Sequence, residues 1–161
     1  MSRIVCQFSC GAASAVATRL ALSRYSPTHE VHVVNAFLAE EHPDNRRFAA
    51  DCEVWFGRPI TVLQDEKHAA SVVRVFRRKQ YMMGPNGAPC SRILKRELLE
   101  KWAMPGDVLI FGYTAEETGR LEDFRDRYPS KTVLAPLIDA GLTKSDCKAM
   151  IERAGIALPA M

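Results

Sequence analysis

"RIVCQFSCGAASAVATRLAL", residues 3–22, joins a short apolar run to a helix-spaced run through Ser9-Cys10-Gly11-Ala12-Ala13-Ser14, a stretch of small residues without a charge. Ile4, Val5, Cys6 and Phe8 read as a buried strand over Arg3–Phe8, and Val16, Leu20 and the neighbouring alanines read as a helix over Ser14–Leu22. Small residues at such a junction let the backbone turn tightly and approach something closely. Two uses fit. One is tight packing where strand meets helix. The other is an anion held by the free amides and positive dipole end of the helix, with hydroxyls added by Ser9 and Ser14. The spacing is neither G-x-G-x-x-G nor G-x-x-x-x-G-K-[ST].

The same alternation continues outward from this junction. Strands are expected at Glu30–Phe37, Pro59–Leu63, "DVLIFGY" and "KTVLAPL". Helices are expected at Pro43–Trp55, His68–Arg78, Ser91–Trp102, Ala115–Tyr128 and Lys144–Ala154. The pattern predicts an α/β fold: a single doubly wound domain over residues 1–161, with a five-stranded, mostly parallel sheet. Ligands of such sheets lie at the carboxyl ends of strands where the strand order reverses. The loops after Phe8, Phe37 and Phe111 are therefore the places to look.

Composition narrows the function classes. The 161 residues are 47% hydrophobic, enough for a real core, and 25% charged. A net charge of +3 is too mild to make nucleic acid an expected partner. The apolar runs are short, so no membrane span is expected, and the N-terminus lacks an export pattern. Cys6, Cys10, Cys52, Cys90 and Cys147 form no C-x-x-C pair, which argues against a cysteine-built metal site. Reduced thiols in a cytoplasm fit best.

Several residues are candidates for chemistry. Glu40, Glu41, His42 and Asp44 cluster after the second strand, as a loop ending in a helix start or as acid–base or metal-binding groups. Gly84, Pro85, Asn86, Gly87 and Pro89 predict a rigid exposed turn. Cys90 then opens a helix, where a thiol gains nucleophilicity; a buried inert cysteine is the alternative. Arg92 and Lys95, three apart, are expected on one face near a positive helix end, where an anion would relieve them. Thr114-x-x-Glu117 and Thr143-x-x-Asp146 have capping-box spacing. Arg120 carries a planar fork of donors, and Tyr113 an aromatic face.

Ser9-Cys10-Gly11-Ala12-Ala13-Ser14 resembles the S-G-G-x-D-S pyrophosphate loop of the adenine nucleotide α-hydrolase superfamily. "EEHPDNRRFAADCEVWFGRPI", "GAPCSRILKRELLEKW", "FGYTAEETGRLEDF" and "PLIDAGLTKSDCKAMIERAGIALP" resemble, in order, blocks of its PAPS reductase branch, of the short type found in phages and prophages. The resemblance implies an adenine nucleotide, PAPS or ATP, with Mg as a further candidate and a thioredoxin-like protein as reductant. It implies phosphoadenylyl-sulfate reductase or sulfotransferase-type chemistry, with Cys90 and Lys95 as catalytic candidates. Ser9, Cys10, Gly11, Ala12, Ala13, Ser14, Asn35, Phe37, Gly112, Tyr113, Glu117 and Arg120 would bind the nucleotide. Alternatives are ATP-dependent adenylation with sulfur transfer to nucleic acid, and a binding-only nucleotide module. Two positions depart from the pattern. Cys10 replaces a glycine, and Ala13 replaces the acidic residue of the ATP-hydrolysing members. The short relatives also continue into a cysteine-containing tail that these residues lack, so the resemblance implies an incomplete reductase cycle.

Overall fold

A computed structural model describes residues 2–85 and 87–160; of the predicted turn residues, Asn86 lies outside them. Five strands form the sheet: β1 (Ile4–Gln7), β2 (Val31–Ala36), β3 (Thr61–Leu63), β4 (Val108–Ile110) and β5 (Thr132–Leu134). Their order is β3-β2-β1-β4-β5 and every pairing is parallel, so the expected mostly parallel sheet is wholly so. The order reverses at β1, which lies between β2 and β4. The carboxyl ends of β1 and β4 thus diverge into separate crossovers and leave a crevice between them.

Alternation along β1 builds a core on each face. Ile4, Cys6 and Phe8 pack with Val31, Val33 and Ile110 beneath α1 (Ala12–Tyr25), α2 (Asp44–Phe56) and α8 (Lys144–Arg153). Val5, Val34, Leu109 and Val133 face the opposite way, toward Leu121 and Phe124 of α6 (Thr118–Arg127) and Leu99 and Trp102 of α5 (Glu97–Trp102). A 3₁₀ turn, Ala115–Glu117, precedes α6, and α7 (Pro136–Asp139), absent from the sequence reading, follows β5.

Two helices depart from expectation. The helix predicted from His68 starts at α3 (Val72–Lys79). Ala69 and Ala70 stand at φ 50° and 53°, and Glu40 accepts hydrogen bonds from Ser71 Oγ, Val72 N and Val73 N, so the helix begins where those donors are satisfied. The helix predicted over Ser91–Trp102 begins two residues earlier as α4 (Pro89–Ser91), widens into a π segment, Arg92–Arg96, and continues as α5. No described helix is long and apolar enough to cross a membrane.

Candidate functional site

The crevice opens into a cleft of about 920 Å³ that runs from the carboxyl ends of β1 and β4 along the sheet face to the residues before β4 and β5, within the range of sites for drug-sized ligands. Its floor is the β1–α1 junction. Cys10 holds φ 60° there, and its side chain is buried in the core. Left-handed backbone of this kind favours glycine, the residue that the resemblance places at this position. Ser14 locks the turn: its Oγ accepts from Ser9 N and Ser9 Oγ, each at 3.1 Å, and donates to Gly11 O at 3.1 Å. The protons of the two hydroxyls read as anion ligands are thus committed within the turn.

The amides above that lock are free. Ala15 N donates to Gly11 O, which begins the helical ladder, whereas the N–H groups of Gly11, Ala12, Ala13 and Ser14 have no acceptor among the described residues. These are the orphan donors of a helix N-terminus. Gly11, Ala13 and Ser14 line the cleft; Ala12 and Cys10 pack toward the core. Gly112, after β4, lies against the same backbone. A Cβ there would come within 2.7 Å of Ser14 Cα and 2.8 Å of Ser14 N.

Charged and aromatic side chains ring this floor. Lys95 and Arg96 line the cleft, and Lys95 Nζ lies 3.6 Å from Glu41 Oε1. Tyr113, Glu117 and Arg120 form the opposite wall. Arg120 packs its guanidinium 4.8 Å from the centre of the Tyr113 ring and pairs with Glu117 Oε1. Glu117 Oε2 accepts from Thr114 N and Thr114 Oγ, so this carboxylate both caps the 3₁₀ turn and orients Arg120. Partial burial pushes the Glu117 carboxyl up, but the bonds from Thr114 and Arg120 outweigh it and hold the group below the usual carboxylate range. Thr143 and Asp146 form the second capping box.

The β2 side differs from expectation. Asn35 is buried and lines the cleft, but its Nδ2 donates to Phe8 O at 2.8 Å and its Oδ1 accepts from Arg46 at 3.2 Å. Phe37 lies outside the cleft lining, beneath the Arg46 guanidinium at 4.5 Å. Arg46, which sequence reasoning did not single out, holds Asn35 and Phe37 from outside the cleft lining. It sits in the first turn of α2 without a carboxylate partner among the described residues. The argument applied to Lys95, a cation opposing the positive end of a helix, would have found it.

The acidic cluster disperses. Glu40 caps α3, Glu41 faces Lys95, His42 Nδ1 accepts from Asp44 N, and Asp44 pairs with Arg47. Among the described residues no three His, Cys, Asp or Glu side chains converge, so no set is assigned to Mg. Cys90 is half-buried and does not line the cleft, although its neighbour Ser91 does. Arg92 also points elsewhere. The wider turn of the π segment separates it from Lys95, with which it shares a spacing but not a face.

With this geometry, comparison with solved structures is direct. The chain superposes on a phosphoadenylyl-sulfate (PAPS) reductase from Candida auris, solved as a phosphate complex, with a TM-score of 0.62 and 10% identity, over 99% of this chain and 76% of that one. It superposes on the U34-tRNA thiolase NcsA from Methanococcus maripaludis, solved with its [4Fe-4S] cluster, with a TM-score of 0.57 and 13% identity, over 98% of this chain and 57% of the thiolase. At these identities the likeness is one of fold. No protein-family model and no curated protein sequence matches the chain. The β1–α1 turn presents its free amides with alanine, and no carboxylate, at position 13.

Proposed function

We propose that the protein binds an adenine nucleotide in the cleft, with a phosphate or sulfate group on the amides of Gly11, Ala12, Ala13 and Ser14. The observation that carries this reading is the set of four unpartnered amides at the head of a 14-residue helix, where Gly11, Ala13 and Ser14 line the crevice at which strand order reverses. Backbone N–H groups and the helix dipole favour an anion there without help from a side chain. Alanine at position 13 removes a charge that would repel it.

The surrounding side chains fit the same reading. Lys95 and Arg120 are each held by a carboxylate, Glu41 and Glu117, at opposite walls. A nucleotide phosphate would displace those partners or share them, and the arginine offers a planar fork for it. Tyr113 presents an aromatic wall for the base. Among superfamily chemistries we favour the PAPS reductase type over ATP-dependent adenylation, because the latter's acidic loop residue is replaced by Ala13. Cys90 receives no step in this reading, since its thiol lies outside the cleft lining.

Thermal shift with adenosine 3′,5′-bisphosphate, PAPS, ATP and AMP tests the proposal. A bound nucleotide raises Tm with concentration; at 100 times Kd the stabilisation is about 2.7 kcal/mol. Lys95→Ala and Arg120→Ala should each weaken binding by roughly tenfold, the loss of about one charge-assisted hydrogen bond. Failure of every adenine nucleotide to raise Tm would reject the reading.

A further inference from the structure

We propose that the outer surface built by α3, the loop after it and α4 docks an acidic, apolar-anchored peptide segment of a partner protein. Charge is segregated along this chain. Val72 to Arg96 holds seven of the 22 Lys and Arg residues and none of the 19 Asp and Glu residues, so the rest of a chain of net charge +3 carries −4. Arg74, Arg77, Arg78 and Lys79 of α3 are exposed and have no ion-pair partner among the described residues. The mild overall charge conceals this surface.

Apolar groups lie in the same segment. Val73, Tyr81, Met82 and Met83 are four of the seven large hydrophobic side chains exposed on the described surface, Met83 at 74%. Tyr81 and Met83 line a groove of about 340 Å³ with Pro85, Ala88, Pro89 and Arg92. Arg92 adds a cation to the groove. Its Nε lies 3.3 Å from Glu97 but is buried without a hydrogen bond. Groove and nucleotide cleft share no lining residue.

The combination selects the occupant. Tyr, Met and Arg are the side chains enriched at protein interfaces, where acidic residues are depleted. A nucleic-acid strand would use the cations and stack on Tyr81, but would leave Met82, Met83 and Val73 in water. A second copy placed face to face would oppose two sets of unpaired cations. A segment of alternating carboxylates and aliphatic side chains satisfies both features: carboxylates on α3, an apolar side chain in the groove.

Fluorescence anisotropy on the intact protein tests this with three labelled probes of equal charge: a mixed Glu/Leu peptide, an all-Glu peptide and an oligothymidylate. The Glu/Leu peptide is expected to bind at least about tenfold more tightly than either of the others. Arg77→Glu with Arg78→Glu should weaken both peptides by at least about tenfold through like-charge repulsion. Met83→Ser should abolish the preference for leucine and leave all-Glu binding unchanged. Equal affinity for the two peptides, tightest binding of the oligothymidylate, or a leucine preference that survives Met83→Ser would each overturn the proposal. None of these substitutions touches the cleft, so nucleotide-induced Tm shifts should persist in all three, and the two proposals stand or fall separately.

Discussion

Gly112 lies so close to Ser14 that a Cβ on the glycine would come 2.8 Å from the Ser14 nitrogen. The neighbours it would meet are backbone atoms of the α1 N-terminus, which cannot swing aside as a side-chain end can. Gly112→Ala should therefore destabilise the fold by about 1–3 kcal/mol, the usual cost of overpacking, and should cut nucleotide affinity by displacing the Ser14 amide. Gly119 is the control. Nothing lies within 4 Å of its would-be Cβ, and it sits in helix α6. Gly119→Ala should stabilise by about 0.5–1 kcal/mol and leave affinity unchanged. Urea unfolding of both variants, with a nucleotide titration, checks the pair.

Cys10 makes a second backbone prediction. Its φ of 60° costs about 1–2 kcal/mol for a side-chain-bearing residue, while its buried side chain returns a comparable amount through packing. Cys10→Gly removes both and should leave stability within about 1 kcal/mol of the parent. Cys10→Val places a β-branched residue in left-handed backbone and should cost about 2 kcal/mol or more. Equal melting temperatures for the glycine and valine variants would contradict the account.

The buried thiols predict alkaline sensitivity. Burial pushes Cys6 and Cys52 up to about 12, and Cys10 and Cys147 up to about 11, from an ordinary 9.0. Below pH 9 each thiol is protonated folded or unfolded, and its contribution is fully present. Above pH 9 the unfolded chain loses protons that the folded chain keeps, so stability falls by about 1.4 kcal/mol per pH unit for each thiol, until pH passes the folded value. Tm should drop between pH 9 and 11, and Cys52→Ala should flatten the drop. At neutral pH only half-buried Cys90 should react with a thiol reagent before denaturation; early labelling of a second cysteine would contradict the packing described.

Local pattern carried the sequence reading a long way, and its failures lie in contacts and backbone geometry that residue type and spacing do not mark. Apolar runs alternating with helical spacing place five strands and their parallel order class, because each element announces its own period. The start of α3 was not legible. Its cap includes Glu40, which lies 31 residues before Ser71 in sequence. The pairing of Arg92 with Lys95 failed because five residues adopt π rather than α geometry, and nothing in their composition marks this. Ser9 and Ser14 were read as ligands since hydroxyls suit anions, yet Ser9 Oγ donates to Ser14 Oγ, which in turn donates to Gly11 O. Gly112 was legible only as a member of a resembling block, while its role depends on the approach of a loop from β4 to the head of α1.

The cradle at the head of α1 is tested most directly by following backbone amides in ¹⁵N–¹H NMR spectra during titration with adenosine 3′,5′-bisphosphate. The account predicts that the Gly11, Ala12, Ala13 and Ser14 resonances shift together, saturably and downfield, as their unpaired N–H groups acquire an acceptor. Saturable binding that leaves those four resonances in place would contradict it.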